Sequence, residues 1–175
     1  MRLGGFLSYG EQIATNHKKI GHSKTSNHYH VLTLKEAIMG IEEAEEIMLI
    51  AELPMIGIND GGSDNIFGTF TGAYLIVKKV DQDNHEEIIS AFEEMEEIGN
   101  DIMSKMVNDW KKANNQEATK PNSELKHLEV DRLRMEEVGP VLDGYVGWRI
   151  DFTVLAPDAL ALIESKWRGE TAFDV

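Results

Sequence analysis

Side chains able to do chemistry are plentiful in this chain, but few stand at a spacing that chemistry requires. Asp60, Asp64 and Asn65 lie beside Gly61 and Gly62, the composition of a calcium loop. Such a loop needs an acid at its twelfth position; counted from Asp60 that position is Thr71, and the pattern fails. His28 and His30 are two residues apart and would share a face on a strand, where they could ligate a metal together. No third ligand follows at a persuasive spacing, so they read as two surface histidines. The pairs Glu86/Glu87 and Glu93/Glu94/Glu96/Glu97 offer carboxylates for acid–base work, yet runs of this kind on the polar side of a helix form a solvated face. No Gly-x-Ser-x-Gly, phosphate-loop or dinucleotide glycine pattern occurs. Gly61-Gly62 lacks the strand-then-helix setting of a phosphate cradle. Trp148 and Phe152 read as core, while Tyr145 and Trp167, near chain turns, are candidate interface anchors. The residues therefore point to no catalytic group, no cofactor and no metal, and the chain reads as not an enzyme.

Composition narrows the remaining classes. A length of 175 residues suits one domain with a real core. No apolar run approaches a membrane span and no signal-peptide apolar region opens the chain, so no membrane is expected. The absence of cysteine removes disulfides, zinc fingers and thiol catalysis, and fits a reducing compartment. A net charge of −14 argues against a surface that grips nucleic acid through its phosphates. Arg2, Lys18, Lys19 and Lys24 give the N-terminal region a basic character against an acidic body, either an ordinary surface or a means of subunit attraction.

The element that must organise these side chains is a helix over 83–114. Ile88, Phe92, Met95, Ile102, Met106 and Trp110 recur along one side, with Gly99 among them, and the acids occupy the other. Asp83 is a suitable N-cap with Glu86 in capping-box position, and Lys111 and Lys112 suit the C-terminal end. Gly99 is either a close approach or a tolerated defect. A short helix is expected over 8–19, stopped by Gly21, then a polar loop and a short extended piece over 29–32. Thr33 and Glu36 open a second helix with an acidic outer face. Residues 48–51 form a buried strand ended by Pro54, and the 59–65 turn leads into a central strand over 66–80, a hairpin. Residues 115–123 are an exposed loop. A strand with a bulge near Asp131–Arg132 is expected over 125–135. Gly139-Pro140 and Asp143-Gly144 then turn the chain into the clearest strand, Val146, Trp148, Ile150, Phe152 and Val154 alternating with polar residues and glycine. A short helix opens at Pro157. The fold class is α+β: an antiparallel sheet packed on one long helix with N-terminal helices, in a single domain with an N-terminal arm over 1–32 and a C-terminal extension over 156–175.

Four segments in this order resemble a family of small proteins encoded by tailed phages and prophages of gut bacteria. They are Ala14-Thr-Asn-His-Lys-Lys-Ile-Gly-His22, Tyr74-Leu-Ile-Val-Lys78, Glu97-Ile-Gly-Asn-Asp-Ile-Met-Ser-Lys-Met106 and Gly144-Tyr-Val-Gly-Trp-Arg-Ile-Asp-Phe-Thr-Val154. The family resembles the tail-terminator or neck-ring proteins that join the capsid portal to the tail. The resemblance implies a virion protein that forms a homo-oligomeric ring, typically of sixfold or twelvefold symmetry. Its partners would be itself and other portal, neck and tail proteins, with DNA only as cargo passing through the channel. Acids facing that channel would repel phosphates. Candidate contact loops between subunits or rings are Asp60, Gly61, Gly62 and Asp64 in one segment and Asn115, Gln116 and Lys120 in the other. The alternative is a cytoplasmic regulatory or ligand-binding α+β module, monomeric or dimeric, which would need a pocket with converging polar groups.

Overall fold

The computed structural model describes residues 1–31, 47–60, 66–115, 125–141 and 144–156. The helices expected from Thr33 and from Pro157 lie outside these residues. The described elements are α1 (Leu3–Asn16), β1 (Tyr29–Val31), β2 (Met48–Asp60), β3 (Ile66–Lys79), α2 (His85–Asn114), a 3₁₀ turn (Val130–Arg132), β4 (Arg134–Val141) and β5 (Tyr145–Ala156). The protein is an α+β fold, its described residues forming a five-stranded sheet with two helices. Strand order is β1-β2-β3-β5-β4. All neighbours are antiparallel except β1, which runs parallel to β2 at the edge.

α1 begins five residues earlier than the sequence pattern suggests and ends at Asn16, with Gly21 at φ 65 in the turn beyond it. Two early glycines oppose this start, at roughly 1 kcal/mol each relative to alanine. Burial of Phe6 offsets them, since an aromatic side chain removed from water contributes about 1.5–3 kcal/mol before stacking is counted. Its ring stacks on Tyr74 at 4.9 Å and meets Phe70 and Phe152. The Tyr74 hydroxyl donates to the Phe6 carbonyl at 2.8 Å, fixing α1 to the centre of the sheet.

β2 does not stop at Pro54. The ladder with β3 shifts register between Glu52 and Met55 and then resumes to Asp60↔Ile66. A bulge removes the need for a ladder donor at proline, so the strand survives it. The opposite correction applies at 125–135. Only Leu128 bridges to Val154, and a 3₁₀ turn at Val130–Arg132 precedes β4. The slip in alternation expected to mark a bulge marks this helical turn; Leu125 and Leu128, both buried, lie on a separate turn before it, where the Leu128 amide donates to the Leu125 carbonyl at 3.0 Å.

α2 is capped by Asn84 rather than Asp83. The Asn84 side chain accepts from the Glu87 amide at 3.2 Å and donates back to the Glu87 carboxylate at 3.3 Å. Asp83 is held in the preceding turn, where its amide donates to Asp81 at 3.0 Å. The buried column of α2 is Ala91, Met95, Ile98, Ile102 and Met106, with Ile88, Phe92 and Trp110 half-buried at its margin. It covers the sheet face formed by Phe70, Tyr74, Ile76, Ile150, Phe152 and Val154. Gly99 is a close approach: a Cβ there would stand 2.3 Å from the Met135 sulfur. Trp148 donates its indole N–H to the Phe92 carbonyl at 3.0 Å.

β5 passes tightest against β3 at Gly147, where a Cβ would lie 1.9 Å from the Ile76 carbonyl oxygen. That neighbour is backbone and cannot swing aside as the Met135 side chain can. Gly147→Ala should therefore cost about 3 kcal/mol, through overpacking of the central ladder. Gly4→Ala, with nothing within 4 Å of its added methyl, should gain roughly 0.5 kcal/mol. Urea denaturation of the two variants would check both signs.

Candidate functional site

Beyond the Glu52–Met55 shift, β2 continues along β3 to Asp60 as the outer strand of the ladder, while β5 flanks the other side of β3 as far as Gly68↔Ala156; this outer stretch of β2 with its β3 partner forms an arm of the sheet. Leu53 is 60% exposed, Met55 72%, Ile56 73% and Ile58 70%. Pairing places Ile56 and Ile58 opposite Phe70 and Gly68, and Met55 opposite Thr71. Opposed residues in an antiparallel ladder point to one side, so the arm is apolar on both of its faces. No residue from Leu53 to Asn59 is charged. β1 pairs with β2 only as far as Ala51, so from Glu52 onward the outer edge of β2 has no strand partner among the described residues. Monomers seldom leave this much contiguous aliphatic surface in water, and bare apolar edges are templates for association.

Asp60 closes this arm, and its partner residue across the ladder is Ile66. Gly61, Gly62 and Asp64 lie outside the described residues. The sequence reading thus singled out the turn and passed over the shaft that carries it. The available signal was the run Leu53, Met55, Ile56, Ile58, too apolar and too weakly alternating for a half-buried strand.

A second apolar surface lies between α2 and the 3₁₀ turn. Met103, Val107, Val130 and Leu133 form its floor, with Asn100, Ser104, Asn108 and Lys111 around them. The groove measures about 460 Å³ and no acid lines it, unlike the first half of the same helix. Asn115 is exposed just past the end of α2, its amide donating to the Lys112 carbonyl at 3.3 Å. Gln116 and Lys120 lie outside the described residues, as does Trp167. Tyr145 is a correction: it is only 2% exposed, packed at the start of β5, so its ring is not offered to a partner.

The carboxylates and cations among the titratable clusters pair with one another, whereas the buried His17 Nδ1 and His30 Nε2 have no hydrogen-bond partner among the described residues. Tyr9 donates its hydroxyl to Asp109 at 3.1 Å, Lys105 pairs with the same buried carboxylate, and its ammonium stands 5.9 Å from the Tyr9 ring centroid. Burial first, and the Asp109 charge second, push the Tyr9 hydroxyl well above its ordinary range. Beside them a cleft of about 120 Å³ runs between α1 and α2, lined by Asn16, His17, Asp101 and Lys105 with Ile13 and Ile102. It is smaller than a site for a typical organic ligand. Across the sheet Arg149 bonds Glu52 at 2.9 Å and Asp151 at 3.0 Å. Burial raises the Asp151 carboxyl, outweighing the guanidinium that lowers it. Lys19 binds Glu97 at 2.6 Å, so part of the basic N-terminal region is spent on α2 of its own chain. No group of three metal-binding side chains occurs among the described residues, and no described helix is long and apolar enough to cross a membrane.

No family model, curated protein or solved structure matches this chain. Acid–base machinery is not what stands out: the strongest feature is apolar, uncharged and extended.

His28 is also a correction, since it is buried rather than on the surface. Its Nδ1 donates to the Ile47 carbonyl at 3.2 Å and its Nε2 meets the Ser26 hydroxyl at 2.6 Å. His30, half-buried on β1, has its imidazole held below the ordinary 6.5, chiefly by burial; a backbone hydrogen bond at Asn27 opposes this, and His22 and His28 reinforce it. The unfolded chain then binds a proton that the folded chain resists. Stability from this group is whole above pH 6.5 and is lost as the pH falls through the lower folded value. His30→Gln should flatten that part of the curve, seen as a smaller drop in melting temperature than the parent shows between about pH 7.5 and pH 5.

Proposed function

We propose that this chain is a structural virion subunit rather than an enzyme, closing into a homo-oligomeric ring in the neck or tail of a tailed phage as a tail terminator or head–tail connector. The observation that carries the reading is the outer stretch of β2, four apolar side chains held in water on a chain with a net charge of −14. An exposed surface of that kind serves association. The order of helix, hairpin, long helix and closing strand is the order that the resemblance to neck and terminator proteins implies. The exposed acids of α2, Glu86, Glu87, Glu93 and Glu96 among them, suit a wall past which DNA must slide without sticking. Other neck and tail proteins would be the neighbours of the ring, and the genome its passing cargo.

Native mass spectrometry with negative-stain imaging of the same sample tests this. The expected result is one closed stoichiometry with a central hole wide enough for duplex DNA. A monomer or dimer at high concentration, together with absence from assembled virions, would overturn the ring and leave a regulatory module as the better reading.

A further inference from the structure

We propose that the β2–β3 arm of one copy seats in the groove between α2 and the 3₁₀ turn of the next copy, a head-to-tail contact that rests on the ring reading above and names the two surfaces that would build it.

Placement is the first argument. β2 belongs to one side of the sheet, and the groove residue Leu133 immediately precedes β4 at the other edge, with β3 and β5 between them. A heterologous contact needs two different patches that do not overlap, so that each copy gives one and receives one. An arm and a groove on opposite sides of a sheet meet that requirement. Two arms meeting each other would make an isologous pair and end there.

Charge is the second. Two copies at −14 each repel wherever acid faces acid. The arm carries no charge from Leu53 to Asn59, and the groove is lined by apolar, amide and hydroxyl groups and by Lys111. Both surfaces are thus free of the acids that would oppose contact, and the single charge is of the attractive sign.

Shape and hydrogen bonding agree. Ile56 and Ile58 project from one face of the arm, and a groove of about 460 Å³ is within the range of sites that enclose a small ligand. The outer edge of β2 presents backbone N–H and C=O groups; Asn100, Ser104 and Asn108 on the groove rim both donate and accept. Ile56 and Ile58, the pair that shares a face, expose on the order of 300 Å², so this pair and a matching area of groove bury roughly 600 Å², less than the ~1,000 Å² expected of a specific interface standing alone. Each copy makes the contact twice, once with each neighbour, and closure of the ring adds avidity.

The chain has no cysteine, so introduced thiols report without background. Ile58→Cys and Asn108→Cys are both at exposed positions and leave the packing of the core untouched. The two variants, purified as full chains, are treated with a short bis-maleimide separately and after mixing. Cross-linked dimers in the mixture, and in neither variant alone, are the expected result. Dimers formed by Ile58→Cys alone would place arm against arm and overturn the assignment of the groove. No cross-link in a sample that native mass spectrometry finds as closed rings would overturn the inference and leave the ring intact. Mixed cross-links in open chains that never close would uphold the contact and overturn the ring. A monomer without cross-links would overturn both. As a second measure, the double variant Ile56→Asn, Ile58→Asn should weaken self-association at least about tenfold while keeping the parent's far-UV spectrum and melting temperature.

Discussion

The antiparallel ladder between β3 and β5 is the constraint on which the other elements depend. It runs from Gly68↔Ala156 to Lys79↔Tyr145 without a shift in register. Because side chains alternate with period two, an offset of one residue would turn every apolar group on these strands to the wrong face. The unbroken register sets Phe70 opposite Val154, Gly72 opposite Phe152, Tyr74 opposite Ile150 and Ile76 opposite Trp148 on a single surface, and that surface is where α1 and α2 settle. Phe6 docks among Phe70, Tyr74 and Phe152, while Met95, Ile98, Ile102 and Met106 cover the rest. Gly147 lets the two strands lie close enough for this to happen. The opposite face is buried at Met48, Ile50, Leu75 and Val77, so this part of the sheet is interior on both sides. The bulged ladder of β2 with β3 is looser by design: it changes course at Pro54, just where the strand leaves the core and becomes the arm.

Where one signal dominated, structure was legible in residues alone. β5 alternates cleanly because one face lies under α2. α2 shows its stripe because a helix of this length lies on a sheet for most of its course. The hairpin was readable from a concentrated turn signal. The misreadings have a common cause, two local preferences of similar size with the tertiary contact as arbiter. Glycines argue against a helix through residues 4 and 5, but Phe6 gains more from the aromatic cluster than they lose. Proline argues for the end of β2, but a bulge accommodates it. Asp83 and Asn84 are both good caps, and the bond between the Asp83 amide and Asp81 decides in favour of Asn84.

The candidate surfaces were less legible than the fold, because exposure is a property of what fails to pack. Leu53, Met55, Ile56 and Ile58 are the same residue types as Met48, Leu49 and Ile50, a few positions away, which are wholly buried. Nothing in their identity separates the two groups; only the end of β1 at Ala51 and the reach of the helices do. Tyr145 and His28 erred in the other direction, since polar tips beside turns suggest the surface until the packing is known. Asp109 is harder still. An acid on an acid-rich helix reads as solvated, yet its position beneath Tyr9 and beside Lys105 makes it an internal partner.

The arm is costly for an isolated chain. Leaving four aliphatic side chains in water forgoes stabilisation of about 1.5–3 kcal/mol for each, which is comparable in sum to the roughly 5–15 kcal/mol that holds a typical domain together. A surplus of acid adds a further obstacle to association, because like charges repel within about 8–10 Å at ordinary ionic strength. In the proposed ring these features together would select the geometry of contact. Two copies approaching at random present carboxylates to each other, and the approach fails. Copies that meet through neutral surfaces gain the burial that the monomer lacks. In the proposed ring, repulsion and adhesion would then come from separate parts of the molecule: the acids of α2 would keep free copies apart, and the uncharged outer stretch of β2 would set the few orientations in which they can join.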